Sequence, residues 1–311
     1  MQLKSLTVGN LQIKNNVFMA PIAGYTDYAF RSLVLELGAG LVFTELASAK
    51  GINFGGGANK ELLKCNDYNL TSAQLFGADP YFMRKACESE ELALFKFVDI
   101  NMGCPVPKVY KNGEGSALLT DLKKAENIIK ECVKSGKIIT VKIRTGLKEG
   151  DDIAKEVSIM AESAGASLIT IHGRVREKYY SGEPDYKAIE NAKKSVKIPI
   201  IANGGIFTVS DANLMIERTG ADGVMLARGG IENPFLFCEL LGTKSPYNKK
   251  QFILKHLDGM KELYGDRKAN VEFRKFASYY FKGQDGSKEL RTQIMTLQSV
   301  EEIKQLIDKK L

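Results

Sequence analysis

The sequence predicts an α/β protein, a (β/α)8 TIM barrel followed by a small all-helical C-terminal domain. Short apolar runs alternate with longer segments in which apolar residues recur every three or four positions, as in parallel strands covered by helices. The 311 residues contain eight such runs: 16–20, 41–45, 70–76, 97–101, 138–144, 167–172, 198–203 and 222–228. Eight strand–helix units favour a closed barrel over the alternative, an open doubly wound sheet.

Three helix-to-strand connections share one pattern, in which a helix end is followed by Gly-Ala and then by an apolar strand. They read ELGAGLVFTE, ESAGASLITIH and ERTGADGVMLAR. Glycine just past a helix permits the left-handed conformation that turns the chain into the next strand. The repeated joint supports a fold built from similar units.

After residue 242 the strand pattern stops and the pattern becomes helical. One face of the first helical segment carries Phe252, His256, Met260 and Leu263. A later segment opens with Ser299 and Glu302 at the spacing of a capping box. We therefore predict a catalytic barrel over residues 1–242 and a helical domain over residues 243–311.

The helical segment carries most of the excess positive charge. From Gly242 onward there are 15 Lys and Arg against 9 Asp and Glu, in a chain whose net charge is +7. A local basic excess suits a partner with a phosphate backbone, and the alternative is a solvated helix surface rich in lysine.

Cysteine and histidine usage argues against a disulfide framework or a metal site. The five cysteines are scattered, odd in number and without a C-x-x-C pair, and there are two histidines. We expect no metal. The chain has no apolar run of the roughly 20 residues needed to span a bilayer and no leader pattern at its start, so we expect a cytoplasmic protein without membrane contact.

Polar residues and glycines follow the predicted strands, at the barrel end where active sites are found. Taken alone, each has an ordinary structural explanation. Their convergence on one rim predicts a small-molecule site. In strand order the residues are Pro21, Ile22 and Ala23; Gln74; Asn101 and Cys104; Lys142 and Arg144; His172 and Arg174; Asn203, Gly204 and Gly205; and Ala227 and Arg228.

The glycines after the seventh and eighth strands predict a phosphate site, with tight turns as the alternative. Glycine lets backbone N–H groups approach phosphate oxygens, and Arg228 adds charge. A phosphate there suits flavin mononucleotide (FMN), with Gln74 and His172 at the pyrimidine edge of the ring and Lys142 near N1 and O2. A G-x-G-x-x-G dinucleotide loop is absent from the sequence.

Several motifs, in order along nearly the whole chain, resemble those of the tRNA-dihydrouridine synthase family. They are APIAGYTDYAFR, DINMGCP, GEGSALL, VKIRTG, TIHGR, IANGGI and the late FRKFASYYFKG with ELR. The resemblance implies an FMN-dependent barrel with a helical tRNA-binding domain. It implies reduction of the uracil C5=C6 bond in tRNA with electrons from NADPH: hydride passes from the flavin to C6, and Cys104 protonates C5.

The resemblance also assigns the rim residues to roles. Asn101, Arg144 and Arg174 fall where the family handles uridine and nearby phosphate. The other residues of the rim, apart from Cys104, fall where the family contacts FMN. Two positions depart from the family pattern, because Gly205 stands where Asp is common and Ala227 where Gly is frequent. Both changes leave the backbone N–H donors in place, so we expect FMN to bind.

The chemistry of a free thiol fits the proton-donor role. Its pKa is about 8.5, so it is mostly protonated near neutral pH. A nucleophilic cysteine would need a partner such as His172 close by, and the sequence leaves that open.

Two other functions compete. An FMN barrel that reduces a free pyrimidine has no need of a basic helical tail. A non-catalytic RNA-binding protein on a barrel scaffold has no need of Cys104, Lys142 and His172.

Overall fold

The computed structural model describes residues 2–55 and 57–311, and the chain begins with an antiparallel hairpin of β1 (Leu6–Val8) and β2 (Leu11–Ile13). Leu6, Val8 and Ile13 are buried in one cluster with inward-facing barrel residues such as Phe18 and Phe97. The hairpin thus closes the N-terminal end of the barrel. The sequence did not predict it.

Eight parallel strands form a closed barrel, which confirms the predicted fold. They are β3 (Val17–Met19), β4 (Leu41–Phe43), β6 (Thr71–Phe76), β7 (Phe97–Met102), β8 (Ile138–Arg144), β9 (Leu168–His172), β10 (Ile200–Asn203) and β11 (Gly223–Leu226). Their order is β4-β3-β11-β10-β9-β8-β7-β6, and pairing of β4 with β6 closes the ring. A two-residue strand, β5 (Ala47–Ser48), extends the sheet beside β6.

Eleven helices surround or flank the described barrel. They are α1 (Tyr28–Glu36), α2 (Ala49–Asn53), α3 (Ala58–Leu63), α4 (Pro80–Cys87), α5 (Pro107–Lys111), α6 (Leu122–Val133), α7 (Ala154–Ser163), α8 (Tyr186–Ser195), α9 (Val209–Thr219), α10 (Arg228–Glu232) and α11 (Leu236–Leu241). The three Gly-Ala joints are confirmed, because Gly38, Gly165 and Gly220 have φ of +100°, +101° and +64°.

The predicted helical region is also confirmed. It contains α12 (Lys249–Tyr264), α13 (Asp266–Tyr280), α14 (Ser287–Thr296) and α15 (Val300–Lys310). The predicted capping box is only half formed. Ser299 Oγ accepts the N–H of Glu302 at 3.2 Å, but the Glu302 carboxylate accepts the N–H of Gln298, which precedes the cap, at 2.7 Å.

An aromatic cluster joins the helical region to the barrel. The Phe30 ring of α1 lies 6.3 Å from Phe252, 5.6 Å from His256 and 6.2 Å from Phe276. The His256 ring is fully buried and shares a 2.8 Å hydrogen bond with the Tyr280 hydroxyl. The two parts of the chain therefore share one apolar core.

No helix among the described residues is long and apolar enough to cross a membrane. No group of three or more His, Cys, Asp and Glu side chains in this part of the chain could hold a metal ion.

Candidate active site

A cavity of about 330 Å³ lies at the C-terminal ends of the barrel strands. All fifteen residues that the sequence singled out, from Pro21 to Arg228, line it. Parallel strands bring their carboxyl ends to the same rim, so residues distant in sequence meet there.

The loop after β7 holds Cys104 in a fixed position at this cavity. Asn101 Oδ1 accepts the backbone N–H groups of Gly103 at 3.2 Å and of Cys104 at 2.9 Å. The Ser116 hydroxyl donates to the Cys104 carbonyl at 2.7 Å, and Arg144 Nε donates to the Gly103 carbonyl at 2.8 Å. The polar side chains around the loop therefore fix its backbone.

Burial controls the protonation of the Cys104 thiol, which is only 7% exposed. Loss of solvent raises the pKa of Cys104, and the Val106 N–H and the charges of Arg144 and Lys142 oppose this rise without cancelling it. The thiol is thus protonated at neutral pH. A thiol that keeps its proton can act as a general acid, and this role of Cys104 stays a prediction.

Lys142 is a buried cation in the cavity wall. Its Nζ donates to Asn203 Oδ1 at 3.2 Å, and Asn203 Nδ2 donates to the Met225 carbonyl at 2.8 Å. Burial, together with the nearby charge of Arg144, lowers the pKa of Lys142 to about 8. An anionic ligand beside it would restore its full charge.

His172 is buried against a neighbouring guanidinium. Arg174 Nη1 lies 3.3 Å from His172 Nε2, so this ring nitrogen accepts and the hydrogen is on Nδ1. Burial and the surrounding cations lower the pKa of His172 well below its usual range. The ring is therefore neutral and can donate a hydrogen bond from Nδ1.

The predicted substrate residues also hold the loops around the cavity. Arg144 Nη1 donates to the carbonyls of Val175 at 3.2 Å and Tyr179 at 2.9 Å. Arg174 donates to the carbonyls of Ser181 and Gly182. The strand-end arginines thus shape the β9–α8 loop, and their contact with uridine stays a prediction.

The turn after β10 explains why glycine stands at position 205. Gly205 has φ of +70°, and a Cβ atom there would lie 2.9 Å from Pro184 Cγ. A larger residue at this position would need both a strained backbone and a displaced proline. The departure from the Asp that the family often has therefore has a local steric cause.

The lining of the cavity is strongly cationic. It includes Lys142, Arg144, Arg174 and Arg228, and among the described residues it includes no Asp or Glu. Arg228 lies over the Tyr180 ring, 5.1 Å from its centre. Such a site suits an anionic ligand that carries a phosphate group.

Comparison with known proteins identifies the family. A family model described as dihydrouridine synthase (Dus) matches residues 18–311. The chain belongs to the dihydrouridine synthase family.

Relatives of this dihydrouridine synthase align over almost their whole length. A probable tRNA-dihydrouridine synthase from Rickettsia bellii is 34% identical, over 92% of this chain and 91% of the relative. The tRNA-dihydrouridine synthase B of Pasteurella multocida is 35% identical, over 89% and 87%. Probable tRNA-dihydrouridine synthase 1 of Synechocystis is 36% identical, over 98% and 89%. The expectation of an oxidoreductase of this family is thereby confirmed.

Solved structures with little sequence identity share the fold. Histamine dehydrogenase from Rhizobium superimposes with a TM-score of 0.58 at 13% identity, over 82% of this chain and 50% of that one. Morphinone reductase gives 0.54 at 13% identity, over 80% and 91%. At this identity the likeness concerns the barrel architecture alone.

Sequence reasoning missed several residues in and behind the cavity wall. Tyr180 and Phe207 line the cavity from loops, and Tyr279 reaches it from α13. Asp99 lies behind the lining, bonded to Gln74. A signal existed for Asp99, since it is a charged residue inside the apolar run FVDIN. No local signal marks Tyr279, because the docking of α13 on the barrel brings it to the cavity.

Proposed function

We propose that this protein reduces the C5=C6 bond of specific uridines in tRNA to 5,6-dihydrouridine, with FMN as cofactor, NADPH as reductant and Cys104 as proton donor to C5. The observation that carries the proposal is the buried Cys104 thiol, held by its loop in the wall of a cationic cavity. Membership in the dihydrouridine synthase family and relatives named for tRNA support the choice of substrate.

The residues in the cavity fit an FMN molecule. Four cationic side chains without a facing carboxylate suit its phosphate and a reduced, anionic ring. Lys142 and His172 would contact the ring, and Gly204, Gly205 and Arg228 would contact the phosphate. When bound, the flavin supplies the hydride that is added to C6.

The surroundings of Cys104 suit a proton transfer to C5. The protonated thiol loses its proton from Sγ, so a thiolate remains after the transfer. The Val106 N–H and the charges of Arg144 and Lys142 favour that thiolate. They thus stabilise the charge that develops on sulfur without deprotonating the thiol beforehand.

The C-terminal helices supply the expected contact with RNA. Arg267 and Lys288 are exposed, and neither forms an ion pair with another described residue. Free cationic side chains of this kind can neutralise phosphates. They favour a polynucleotide over a free pyrimidine as the substrate.

The proposal is tested with purified protein whose flavin has been reduced by NADPH. We expect the released cofactor to have the mass of FMN. We also expect tRNA that lacks dihydrouridine to reoxidise the flavin at least ten times faster than free uridine or uracil does. Tenfold is roughly the difference in rate that one tight contact with the rest of the tRNA would make. A protein that takes up no flavin, or that reoxidises equally fast with free uracil, would contradict it.

A further inference from the structure

Asp99 is a fully buried carboxylate in the middle of β7. The strand register places it between Gln74 of β6 and Thr140 of β8. Gln74 Nε2 donates to Asp99 Oδ2 at 2.6 Å, and the Thr140 hydroxyl donates to Asp99 Oδ1 at 2.5 Å. Among the described residues that line the cavity are Gln74 and Asn101 but not Asp99. Any effect of Asp99 on the cavity therefore passes through its neighbours.

A chain of hydrogen bonds connects Asp99 to the backbone of Cys104. Asn101 Oδ1 already accepts the N–H groups of Gly103 and Cys104, so the Asn101 amide faces Gln74 with its donor, Nδ2. This donor is bonded to Gln74 Oε1 at 2.9 Å. Gln74 must then turn its own donor, Nε2, the other way, where it meets Asp99.

The direction of the bonds in this chain is fixed at one end by the backbone N–H groups of Gly103 and Cys104 and at the other by the acceptor at position 99. If the Gln74 amide were flipped, its Nε2 would face Asn101 Nδ2, donor against donor. Because a buried donor without an acceptor is costly, one arrangement is strongly favoured. Without an acceptor at position 99, Gln74 Nε2 is left unsatisfied and the Gln74 amide is held by its bond from Asn101 alone.

We propose that Asp99 is a positioning residue for the reduction, because it orients the Gln74 amide and, through Asn101, holds the loop that presents Cys104. The inference rests on the proposed function. It adds a residue that touches neither cofactor nor substrate.

The charge of Asp99 supports the same role. Burial raises the pKa of Asp99 to about 6, and hydrogen bonds from Thr140 and Gln74 and the charge of Lys142 limit the rise. At neutral pH the group is therefore an anion near Lys142. Asp99 in turn favours the charged form of Lys142.

Two substitutions separate the acceptor from the charge. Asp99→Asn keeps an oxygen that can accept from Gln74, and its amide can donate to the Thr140 oxygen. Asp99→Leu removes every acceptor and keeps the same number of side-chain heavy atoms. Asp99→Ala also removes every acceptor and serves the same purpose if the Leu variant does not fold. Thr170→Val is the matched control, because Thr170 is also fully buried in the barrel and its hydroxyl has no hydrogen-bond partner among the described residues.

The first measurement is turnover on tRNA. We expect kcat of Asp99→Leu to fall by roughly 30-fold or more, the scale of a misplaced reacting group, with KM for tRNA within about twofold. Asp99→Asn should retain kcat within about fivefold, because it keeps the acceptor for Gln74. Thr170→Val should retain kcat within about twofold, because it does not touch the hydrogen-bond chain. The rate of flavin reduction by NADPH should fall less than turnover on tRNA does, because that half-reaction involves the flavin contacts of Gln74 but does not use Cys104.

The second measurement does not depend on activity. Alkylation of Cys104 by iodoacetamide, followed by peptide mass mapping, reports how firmly the loop is held. We expect it to be at least about fivefold faster in Asp99→Leu than in the wild type and unchanged in Asp99→Asn. Wild-type turnover together with wild-type alkylation in folded Asp99→Leu or Asp99→Ala would overturn the proposal. If the wild type does not reduce tRNA, the proposed function fails, and the alkylation rate still tests the link between Asp99 and the loop.

Discussion

The side-chain oxygen of Asn101 accepts the backbone N–H of Cys104 at 2.9 Å, which ties the thiol-bearing loop to the end of β7. The thiol is thereby fixed relative to Lys142, whose Cα is paired with that of Asn101 in the strand register. This relationship places a buried thiol and a buried cation in the wall of one cavity.

Replacing Cys104 with Ala should abolish the proton transfer while leaving the cavity intact. We expect kcat on tRNA to fall by about 100-fold or more, the usual contribution of a general acid, with flavin content and tRNA affinity unchanged. Cys65→Ala is the matched control, because Cys65 is a free, half-buried thiol outside the cavity whose pKa is also raised by burial, to about 11. If kcat is the same in Cys104→Ala and Cys65→Ala, then Cys104 is not the proton donor.

The pKa of Lys142 predicts how FMN affinity depends on pH. Since burial lowers this pKa to about 8, the side chain is charged below that pH and loses its charge as pH rises through it. Titration of flavin-free protein with FMN, followed by fluorescence quenching, should show affinity falling by about tenfold between about pH 7 and about pH 9.5. In Lys142→Met the affinity should be weaker and nearly flat. An equal decline of FMN affinity in both proteins would mean that a group other than Lys142 causes it.

The turn at Gly205 should resist the residue that the family often carries there. Gly205→Asp adds a side chain at φ of +70° and against Pro184, so we expect the free energy of unfolding to fall by about 2–4 kcal/mol. Gly182→Asp is the control, because Gly182 has φ of +73° with open space around it and should lose only about 1 kcal/mol. Urea unfolding of both variants measures the difference. Equal losses would show that Pro184 moves away without cost.

The exposed cations of the helical region should contribute to tRNA affinity by neutralising phosphates. In the double variant Arg267→Gln, Lys288→Gln, the slope of log affinity against log salt should become shallower by up to about 2. Lys14→Gln with Lys197→Gln is the control, since both lysines are exposed and lie near the N-terminal ends of barrel strands. This design avoids deleting the helices, which would expose Phe30 of the barrel. An unchanged slope in the first pair would leave its charges without a role in RNA binding.

Asp99 should make stability depend on pH. Its pKa is raised from 3.8 to about 6, so its contribution to stability is complete below about pH 4 and is lost as pH rises through 6. Asp99→Asn does not titrate. We therefore expect the free energy of unfolding of the variant, relative to wild type, to rise by roughly 3 kcal/mol between about pH 4 and about pH 7. A constant difference across this range would mean that Asp99 does not titrate there.

The sequence predicted the rim of the barrel because the fold itself brings strand ends together. Once eight strands were recognised, Gln74, Lys142 and His172 had to point toward one mouth. The hydrogen-bond chain from Asp99 could not be predicted, since it depends on a register that pairs Gln74 with Asp99. Tyr279 was missed for a related reason, because its place in the cavity depends on how α13 packs against the barrel. The short strands of the N-terminal hairpin are too brief to show a period.

The most direct test of the central claim is mass spectrometry of tRNA. Total tRNA from cells that make no dihydrouridine is incubated with the purified protein, FMN and NADPH, and its nucleosides are then mapped by position. We predict that specific uridines gain the mass of two hydrogen atoms with the wild type and that this gain is almost absent with Cys104→Ala. If the wild type binds tRNA and its flavin is reduced by NADPH, yet no uridine gains that mass, the account is contradicted.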